Sequence, residues 1–281
     1  MLAEHAGEAK VLAGGQSLVP TMNFRLAAPS ILVDLNRIDD LAGIEAMDNG
    51  SLRIGAMTRQ RTLERSPLVA ERAPLISEAM PHIAHSQIRN RGTFGGSLAH
   101  ADPAAELPAL AVALDARIKA QKWDGEMVER WIAASEFFLG VFTTALDFDE
   151  MLAQVEIPAL PPNTGTAFEE FARRHGDYAL AGACAVVTLA DDGTVASSRL
   201  VLFSVGDGPV LVASASQALL GNRPTPEAIE AAAEAIQGDI DPQGDIHATA
   251  AYRRHLAKVL AKRVLSRAVA RAENGHSMEG V

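Results

Sequence analysis

A proline cluster at residues 158–163 constrains the fold of this chain more than any other feature of its sequence. Pro158, Pro161 and Pro162 fix φ and lack a backbone N–H group, so neither a helix nor a central strand continues through the segment. The chain has 281 residues, which is more than one compact core usually holds. We therefore predict two domains that meet at this cluster.

The part of the chain before the cluster is predicted to mix short strands and helices. Apolar runs that end at glycine or proline predict strands, and Ser or Thr before an amphipathic run predicts a helix N-cap. The predicted strands are 10–13, 31–35, 51–56, 117–122, 127–131 and 150–157. The first predicted helix is 17–26, with Ser17 as N-cap, and the second begins near Arg59, with Thr58 as N-cap. A third is predicted over 73–88, with a break or kink at Pro81, and a fourth ends at Leu114.

The part after the cluster is predicted to change from strands to helices. Two apolar strands, 183–190 and 195–205, flank Asp192-Gly193, which is a strong hairpin signal. The predicted helices are 214–220, 225–236 with Thr225 as N-cap before Pro226, and 248 to about 272. A disordered tail is suggested only for the last few residues, after Asn274.

The composition excludes several classes of protein. The net charge of −10 argues against a nucleic-acid partner, because phosphate binding needs a basic face. Cys184 is the single cysteine, so neither an internal disulfide nor a cysteine-ligated iron–sulfur cluster is possible. The sequence starts without the basic and apolar regions of a signal peptide, and it has no long apolar stretch. We therefore expect a cytoplasmic protein without a membrane span.

The first informative motif is a glycine pair that follows the first predicted strand. Consecutive backbone N–H groups around Gly14 and Gly15 can form a concave anion site, and Ser17 can add a hydroxyl donor. An ordinary strand–turn–helix junction is the alternative. A Rossmann fold is excluded, because the G-x-G-x-x-G fingerprint is absent and Pro20 interrupts the helix.

A second glycine pair lies in segment 93–97 (Thr-Phe-Gly-Gly-Ser) and offers the same chemistry. Two such loops that face each other could hold a pyrophosphate and bury an extended dinucleotide. Glu106 is suited to accept hydrogen bonds from ribose hydroxyls, although Asp102 and Glu106 could instead only stabilise a helix N-terminus. Arg89 and Arg91, which precede the loop, could be solvated surface charges.

At these two loops the sequence resembles the FAD-binding medium subunits of the molybdenum hydroxylases. This family includes aerobic carbon monoxide dehydrogenase and quinoline oxidoreductase, and xanthine dehydrogenase carries the same domain. Residues 13–22 are similar to the first FAD loop of the family and residues 88–108 to the second. Residues 150–158 and 173–179 also resemble family segments, so the likeness covers nearly the whole chain.

The resemblance implies an α+β fold, in which a two-subdomain α/β FAD-binding domain of the PCMH type precedes a C-terminal domain of antiparallel sheet plus helices. The implied bounds are 1–160 for the first domain (small subdomain about 1–55, larger subdomain about 56–160) and 163–273 for the second. Family members usually begin further upstream. Either the start at Met1 is misplaced or the small subdomain lacks a packing element, and we expect a misplaced start.

The resemblance also implies a flavin site. The loops would bind the pyrophosphate, Glu106 the ribose, and Leu152 and Tyr178 would lie near the isoalloxazine, although Tyr178 could instead be a core residue beside a hairpin. The implied FAD-binding residues are Ala13, Gly14, Gly15, Gln16, Ser17, Thr93, Gly95, Gly96, Ser97, Asp102, Glu106, Leu152 and Tyr178. We expect no catalytic acid, base or nucleophile and no metal ligand in this chain.

By the same resemblance, the partners are a large molybdopterin-binding subunit that hydroxylates the substrate and a small subunit with [2Fe–2S] clusters. Electrons would pass through the clusters to the FAD of this chain and then to an external acceptor, in a dimer of heterotrimers. Two other classes stay open. One is a self-sufficient NAD(P)H-dependent flavoenzyme, and the other is a scaffold or maturation factor without flavin, against which the intact glycine loops argue.

Three weaker candidates have simpler explanations. His82 and His85 lack a third ligand in a recognisable pattern and are expected to be surface or interface histidines. Cys184 is expected to be a small buried hydrophobe. The last helix has a basic face that is expected to be solvated, with docking to an acidic partner as the alternative. Its residues are Arg253, Arg254, Lys258, Lys262, Arg263, Arg267 and Arg271.

Overall fold

Two parallel strands open the chain in the structure, a computed structural model that describes residues 1–5 and 7–275. Strand β1 (Ala9–Leu12) pairs with β2 (Ile31–Asp34), and helix α1 (Leu18–Asn23) lies between them in sequence. Ser17 occupies the predicted N-cap position but makes no capping hydrogen bond, because its own backbone is already near-helical (φ −108°, ψ −49°). The predicted helix start is confirmed, whereas the predicted capping bond is wrong.

An antiparallel five-stranded sheet, in the order β3-β4-β9-β5-β6, forms the centre of the first domain. The strands and helices up to the middle of this domain are β3 (Ile44–Ala46), β4 (Leu52–Gly55), α2 (Gln60–Arg65), α3 (Pro67–Arg72), α4 (Pro74–Ala79), α5 (Ser86–Arg89), α6 (Phe94–His100) and α7 (Glu106–Ala113). They are followed by β5 (Arg117–Trp123), β6 (Met127–Ala133), α8 (Ala134–Phe137), β7 (Phe138–Gly140), β8 (Thr143–Thr144) and β9 (Met151–Ile157). The predicted strands of this domain and the hairpin of β5 with β6 are confirmed.

The sheet packs differently on its two sides, and β9 contributes to both because its pairing with β5 is irregular at Ala153, where Lys119 pairs with Gln154 but Ala120 pairs with Leu152. Leu152 and Val155 join the main core, together with apolar side chains of α4 and α7. Ala153 instead packs with Leu35 and Met57 in a smaller core that includes residues of β1 and β2. Strand β9 therefore links the small N-terminal unit to the rest of the domain.

Two helix predictions need correction. Thr58 does not cap α2, because its hydroxyl group is already used by Gly43. It donates a hydrogen bond to the carbonyl of Gly43 and accepts one from the Gly43 N–H group, both at 2.9 Å. Arg59 instead occupies the N-cap position. The helix predicted over 73–88 is broken into α4, a 3-10 turn (Met80–His82) and α5, as Pro81 indicated.

The proline cluster lies between β9 and the C-terminal domain, which begins with a four-stranded antiparallel sheet in sequential order. Its elements are β10 (Thr164–Ala172), β11 (Ala179–Leu189), β12 (Val195–Phe203), β13 (Val210–Leu211), α9 (Ala213–Leu219), α10 (Pro226–Ala235) and α11 (Ala250–Glu273). Strand β10 was not predicted, because glycine, two threonines and two glutamates interrupt its apolar residues. The tail suggested after Asn274 extends over residues 276–281, which lie outside the described residues.

Strand β11 is buried along its whole length because both faces of its sheet are covered. Cys184 and Val186 face the main core of the first domain, whereas Ala183 and Ala185 face the core formed with α11. The two domains therefore share one hydrophobic interior. Cys184 is a buried hydrophobe, as predicted, and burial raises the pKa of its thiol far above the usual range.

The basic residues of α11 form ion pairs within the chain, but the face is solvated in large part, as expected, because Arg253 is its only buried member and Lys262 and Arg263 are exposed. Arg271 binds Glu78 of α4 through both terminal nitrogens of its guanidinium (2.6 and 3.2 Å), and Arg267 binds Glu78 and Glu169. The remaining pairs are Arg253 with Asp245, Arg254 with Asp241, Lys258 with Glu230 and Glu234, Lys262 with Glu230, and Arg263 with Glu169. The face thus joins α11 to the body of the protein.

Candidate functional site

The two glycine loops face each other in direct contact, as the sequence suggested. A Cβ atom on Gly14 would lie 2.3 Å from the carbonyl oxygen of Arg91, which immediately precedes the second loop. One on Gly96 would lie 3.2 Å from the Cβ of Ala13. Gly15 has a φ of +73°, in the left-handed region that glycine adopts without strain. Glycine is therefore required here both for close approach and for backbone conformation.

The first loop presents unsatisfied donors. Within the described residues, the backbone N–H groups of residues 14–17 have no hydrogen-bond acceptor, whereas the side-chain amide of Gln16 donates to the carbonyl of Gly14 at 3.0 Å. Successive N–H groups without protein acceptors form an anion-binding concavity. This arrangement fits a phosphate group.

The second loop offers hydroxyl groups rather than amides. Its backbone N–H groups all donate within the protein. Those of Phe94 and Gly95 donate to the carbonyls of Thr58 and Ala56. That of Gly96 donates to the hydroxyl of Thr93, and that of Ser97 to the carbonyl of Thr93. Within the described part of the chain, the hydroxyl protons of Thr93 and Ser97 are not used in hydrogen bonds. The resemblance implies that the two loops bind the pyrophosphate through backbone N–H groups and hydroxyls; the unused N–H groups belong to the first loop and the unused hydroxyl protons of Thr93 and Ser97 to the second.

An open cleft of about 510 Å³ lies in front of the first loop, which is within the usual range for ligand sites. Its lining residues are Leu12, Ala13, Gly14, Gly15, Gln16, Val19, Pro20, Asp34, Asn36, Ile88 and Arg91. The carboxyl ends of the parallel strands β1 and β2 meet at this cleft. Ligands of parallel α/β units bind at such edges.

Sequence reasoning missed two residues that support the first loop. The side-chain amide nitrogen of Asn36 donates to the backbone carbonyl of Ala13 at 2.8 Å. The guanidinium of Arg59 donates to the side-chain oxygen of Asn36 at 2.7 Å and to the backbone carbonyl of Arg91. Burial, and then repulsion by Arg91, lowers the pKa of Arg59, so a bound anion would stabilise both guanidinium groups. The position of Asn36, just past the end of β2, is the signal that could have identified it.

The two arginines before the second loop have different environments. Arg89 is buried and binds both carboxylate oxygens of Glu64 (3.0 and 3.1 Å) and the carbonyls of Ile83 and Ala84. It is a structural residue, and the alternative of a solvated charge is wrong for it. Arg91 is exposed at the rim of the cleft, where it can reach a bound anion.

An acidic cluster follows the second loop and consists of Asp102, Glu106 and Glu170. Burial, and then the nearby carboxylate of Glu170, raises the pKa of Glu106 to about 8. Tyr178 is 68% exposed, but its hydroxyl group reaches this cluster. Partial burial of that group, the charges of Asp102 and Glu106, and a hydrogen bond to Asp102 raise its pKa. Tyr178 is therefore a neighbour of Asp102 and not a core residue.

Strand β9 reaches the second loop through Ala56. The N–H group of Ala56 donates to the carbonyl of Ala153 at 3.0 Å, and its carbonyl accepts from the N–H group of Gly95 at 2.8 Å. Leu152 itself is buried in the main core. The structure thus brings the two loops and β9 together, whereas none of the acidic cluster lines the cleft of the first loop.

We expect the flavin-free chain to become less stable as the pH rises from 5 to 8. The folded protein keeps a proton on Glu106 up to a pKa of about 8, whereas the unfolded chain releases it near the ordinary glutamate pKa of 4.5. The folded state therefore binds more protons in this window, and its stability falls as the pH rises. Thermal or urea unfolding should show a loss of about 3–4 kcal/mol from this group over that window.

Glu106→Gln should remove most of this pH dependence, because the neutral amide replaces the protonated carboxyl group. Glu126→Gln, on the exposed turn between β5 and β6, is the matched control. An equal slope of stability against pH in wild type and Glu106→Gln would show that Glu106 keeps an ordinary pKa.

Comparison with known proteins defines the class of this chain. Residues 1–160 match the family model described as the FAD binding domain in molybdopterin dehydrogenase. Residues 166–268 match the CO dehydrogenase flavoprotein C-terminal domain. The chain therefore belongs to the family of FAD-binding medium subunits of molybdenum hydroxylases, and it is a subunit of an oxidoreductase.

Relatives match along nearly their whole length. A 6-hydroxypseudooxynicotine dehydrogenase complex subunit alpha from Paenarthrobacter nicotinovorans is 42% identical, over 97% of this chain and 90% of that protein. The structure of carbon monoxide dehydrogenase from Hydrogenophaga pseudoflava matches with a TM-score of 0.92 and 39% identity, over 96% of this chain and 92% of that one. Quinoline 2-oxidoreductase from Pseudomonas putida 86 matches with a TM-score of 0.88 and 36% identity, over 96% and 92%. The α+β fold and the FAD-binding domain implied by the sequence are confirmed.

Within the described residues, no helix has both the length and the apolar character needed to cross a membrane.

Proposed function

We propose that this chain holds FAD as the electron-transfer subunit of a heteromeric molybdenum hydroxylase. The observation that carries the proposal is the contact of two glycine loops, one of which has four N–H groups without acceptors among the described residues and lines an open cleft with Gly14, Gly15 and Gln16. The site fits the cofactor, because a pyrophosphate needs such donors. FAD, when bound, supplies the two-electron chemistry.

The N–H groups of residues 14–17 and the hydroxyls of Ser17, Thr93 and Ser97 are proposed to bind the pyrophosphate. Arg91 at the cleft rim would offset the negative charge. This assignment follows from the donors that the protein leaves unused. In this assignment Gly95 and Gly96 do not bind the pyrophosphate themselves, and their role is to let the neighbouring backbone approach closely.

The acidic cluster and β9 are proposed to surround the other half of the cofactor. Glu106 and Asp102 would accept hydrogen bonds from ribose or ribityl hydroxyls, and protonation of Glu106 limits the charge placed beside the phosphates. Tyr178 would cover the isoalloxazine with its exposed ring, and the backbone of Leu152 would border it. No residue of this chain has to act as acid, base or nucleophile on the substrate.

The proposed partners are a large molybdopterin-binding subunit and a small [2Fe–2S] subunit in a dimer of heterotrimers. Support comes from the relatives, one of which is named as a subunit of a dehydrogenase complex and another as the medium chain of carbon monoxide dehydrogenase. These names do not describe NAD(P)H oxidoreductases that act alone, so the complex is favoured over the self-sufficient flavoenzyme.

Purification of the tagged chain from its native host, without added flavin, tests this function. We expect FAD together with two co-purifying chains, one with molybdopterin and one with iron and sulfide. FAD in a lone chain that oxidises NAD(P)H would instead establish the self-sufficient enzyme. A chain without flavin in any preparation would contradict the proposal.

A further inference from the structure

Three successive carbonyl groups of the first glycine loop accept hydrogen bonds from within the protein. The side-chain amide of Asn36 donates to the carbonyl of Ala13 at 2.8 Å, and that of Gln16 donates to the carbonyl of Gly14 at 3.0 Å. The carbonyl of Gly15 accepts from a backbone N–H group in the first turn of α1 at 3.1 Å. The orientation of each of these three peptide units is therefore fixed by a donor.

The N–H groups of Gly14, Gly15 and Gln16 belong to the same three peptide units. In a trans peptide unit the C=O and N–H bonds are coplanar and point in opposite directions, and the described residues contain no cis peptide bond. The donors that hold the carbonyls therefore turn these N–H groups the other way. The three residues line the cleft, so the loop is arranged for an anion before one binds.

Asn36 has only one stable orientation of its side-chain amide. The amide oxygen accepts from Nη2 of Arg59 at 2.7 Å, and the amide nitrogen also donates to Oδ1 of Asp34 at 2.5 Å. A rotated amide would place its oxygen against the oxygens of Ala13 and Asp34, and its N–H groups against a guanidinium. The backbone N–H group of Asn36 donates to the same Asp34 oxygen at 2.9 Å, which holds the residue at the end of β2.

Arg59 connects this arrangement to the segment before the second glycine loop. A second nitrogen of its guanidinium, Nη1, donates to the carbonyl of Arg91. Gly14 packs against the same carbonyl, because a Cβ atom on Gly14 would lie 2.3 Å from its oxygen. The backbone of Arg59 also forms an isolated antiparallel bridge with Thr93. One guanidinium thus holds the first loop, through Asn36, against the start of the second.

We propose that Asn36 and Arg59 are positioning residues that keep the first loop ready for a pyrophosphate, an inference that rests on the proposed function. They act through the loop, because both amide protons of Asn36 are used within the protein and Arg59 does not line the cleft. Without the amide of Asn36, the peptide unit between Ala13 and Gly14 can turn over. A carbonyl oxygen then replaces one of the N–H groups that a phosphate requires.

Binding of FAD and of ADP to the purified complex, after removal of its flavin, tests the proposal. ADP carries the pyrophosphate but lacks the isoalloxazine. Asn36→Leu keeps the size and the charge of the side chain but removes the donor, so we expect both affinities to fall by the same factor of about ten. Asn222→Leu is the matched control, because that amide also donates to a backbone carbonyl, of Ala218, but in the C-terminal domain.

Arg59→Lys separates geometry from charge. Lysine keeps the positive charge but lacks the fork that donates to Asn36 and to the carbonyl of Arg91 together. We expect the affinities for FAD and ADP to fall about fivefold, at low and at high salt alike. A purely electrostatic contribution of Arg59 would instead leave the lysine variant unchanged. Arg223→Lys is the control, because this guanidinium donates to the carbonyl of Asp192, in the C-terminal domain.

Two results would overturn the positioning role and leave the proposed function intact. One is wild-type affinity for ADP in both variants. The other is a loss of affinity for FAD without a loss for ADP, because the effect would then lie at the flavin. Failure of both variants to assemble, with normal controls, would assign the two residues to folding and would also overturn it. A wild-type complex purified without FAD would overturn the proposed function itself.

Discussion

Gly14→Ala should weaken FAD retention while leaving most of the fold intact. The new methyl group would lie 2.3 Å from the carbonyl oxygen of Arg91 and 2.8 Å from Cα of Gly92, and neither backbone atom can move aside as a flexible side chain would. The loops would have to separate, at a cost of about 1–3 kcal/mol. If this cost falls on the bound state, affinity falls about tenfold to a hundredfold. The ratio of FAD to protein in the purified variant measures the retention, and titration of the flavin-free variant with FAD measures the affinity.

The matched control for this variant is Gly238→Ala. A Cβ atom there meets nothing within 4 Å, and the residue lies in a 3-10 turn far along the chain from both loops. Gly96→Ala, with its methyl group 2.6 Å from the Thr93 hydroxyl oxygen, should reproduce the loss from the opposite loop. Normal FAD content in Gly14→Ala and Gly96→Ala would refute the two-loop site.

Gly165→Ala should destabilise the C-terminal domain more than any surface substitution. The backbone of α11 lies directly on this residue of β10, so a Cβ atom would lie 2.0 Å from the carbonyl oxygen of Ala268 and 2.5 Å from the nitrogen of Ala272. The helix would have to move off the sheet, with a loss of about 3 kcal/mol in the free energy of unfolding. Thermal unfolding should shift down by roughly 6 °C or more.

Gly208→Ala serves as the control for this second variant, because its Cβ atom would make only an ordinary contact, 3.8 Å from the Cβ of Phe138. The displacement of α11 should also weaken the pair of Arg271 with Glu78, which joins the two domains. An unchanged Tm in Gly165→Ala would mean that the helix can slide at no cost, and the close packing inferred here would be wrong.

Local features of this fold could be predicted from the sequence. The turn at Asp124-Gly125 fixed the hairpin of β5 and β6, the proline cluster separated β9 from β10, and the glycine pairs marked the loops. In each case the signal and the structure lie within a few residues of each other. The contact between the loops was also inferred, because two half-sites for one phosphate-bearing ligand have to meet.

Features that depend on distant partners could not be predicted. From the sequence, Arg89 could be a solvated surface charge, because its partner Glu64 lies 25 positions away in the chain. The basic face of α11 is neutralised by residues as far away as Glu78, 193 positions from Arg271. Strand β10 has too few apolar residues to be recognised, and it is stabilised by pairing with β11 and by packing under α11. Sequence patterns carry no information on such partners.

The shared interior has a consequence for synthesis on the ribosome. Helix α7 is buried at every position, and part of its cover is strand β11, where Cys184 contacts the carbonyl of Ala109 from 75 residues further along the chain. At usual translation rates, about 4–15 s pass between the appearance of these two residues. During that interval the apolar helix lacks this cover, so its apolar side chains are open to chaperones or to other nascent chains until β11 has emerged.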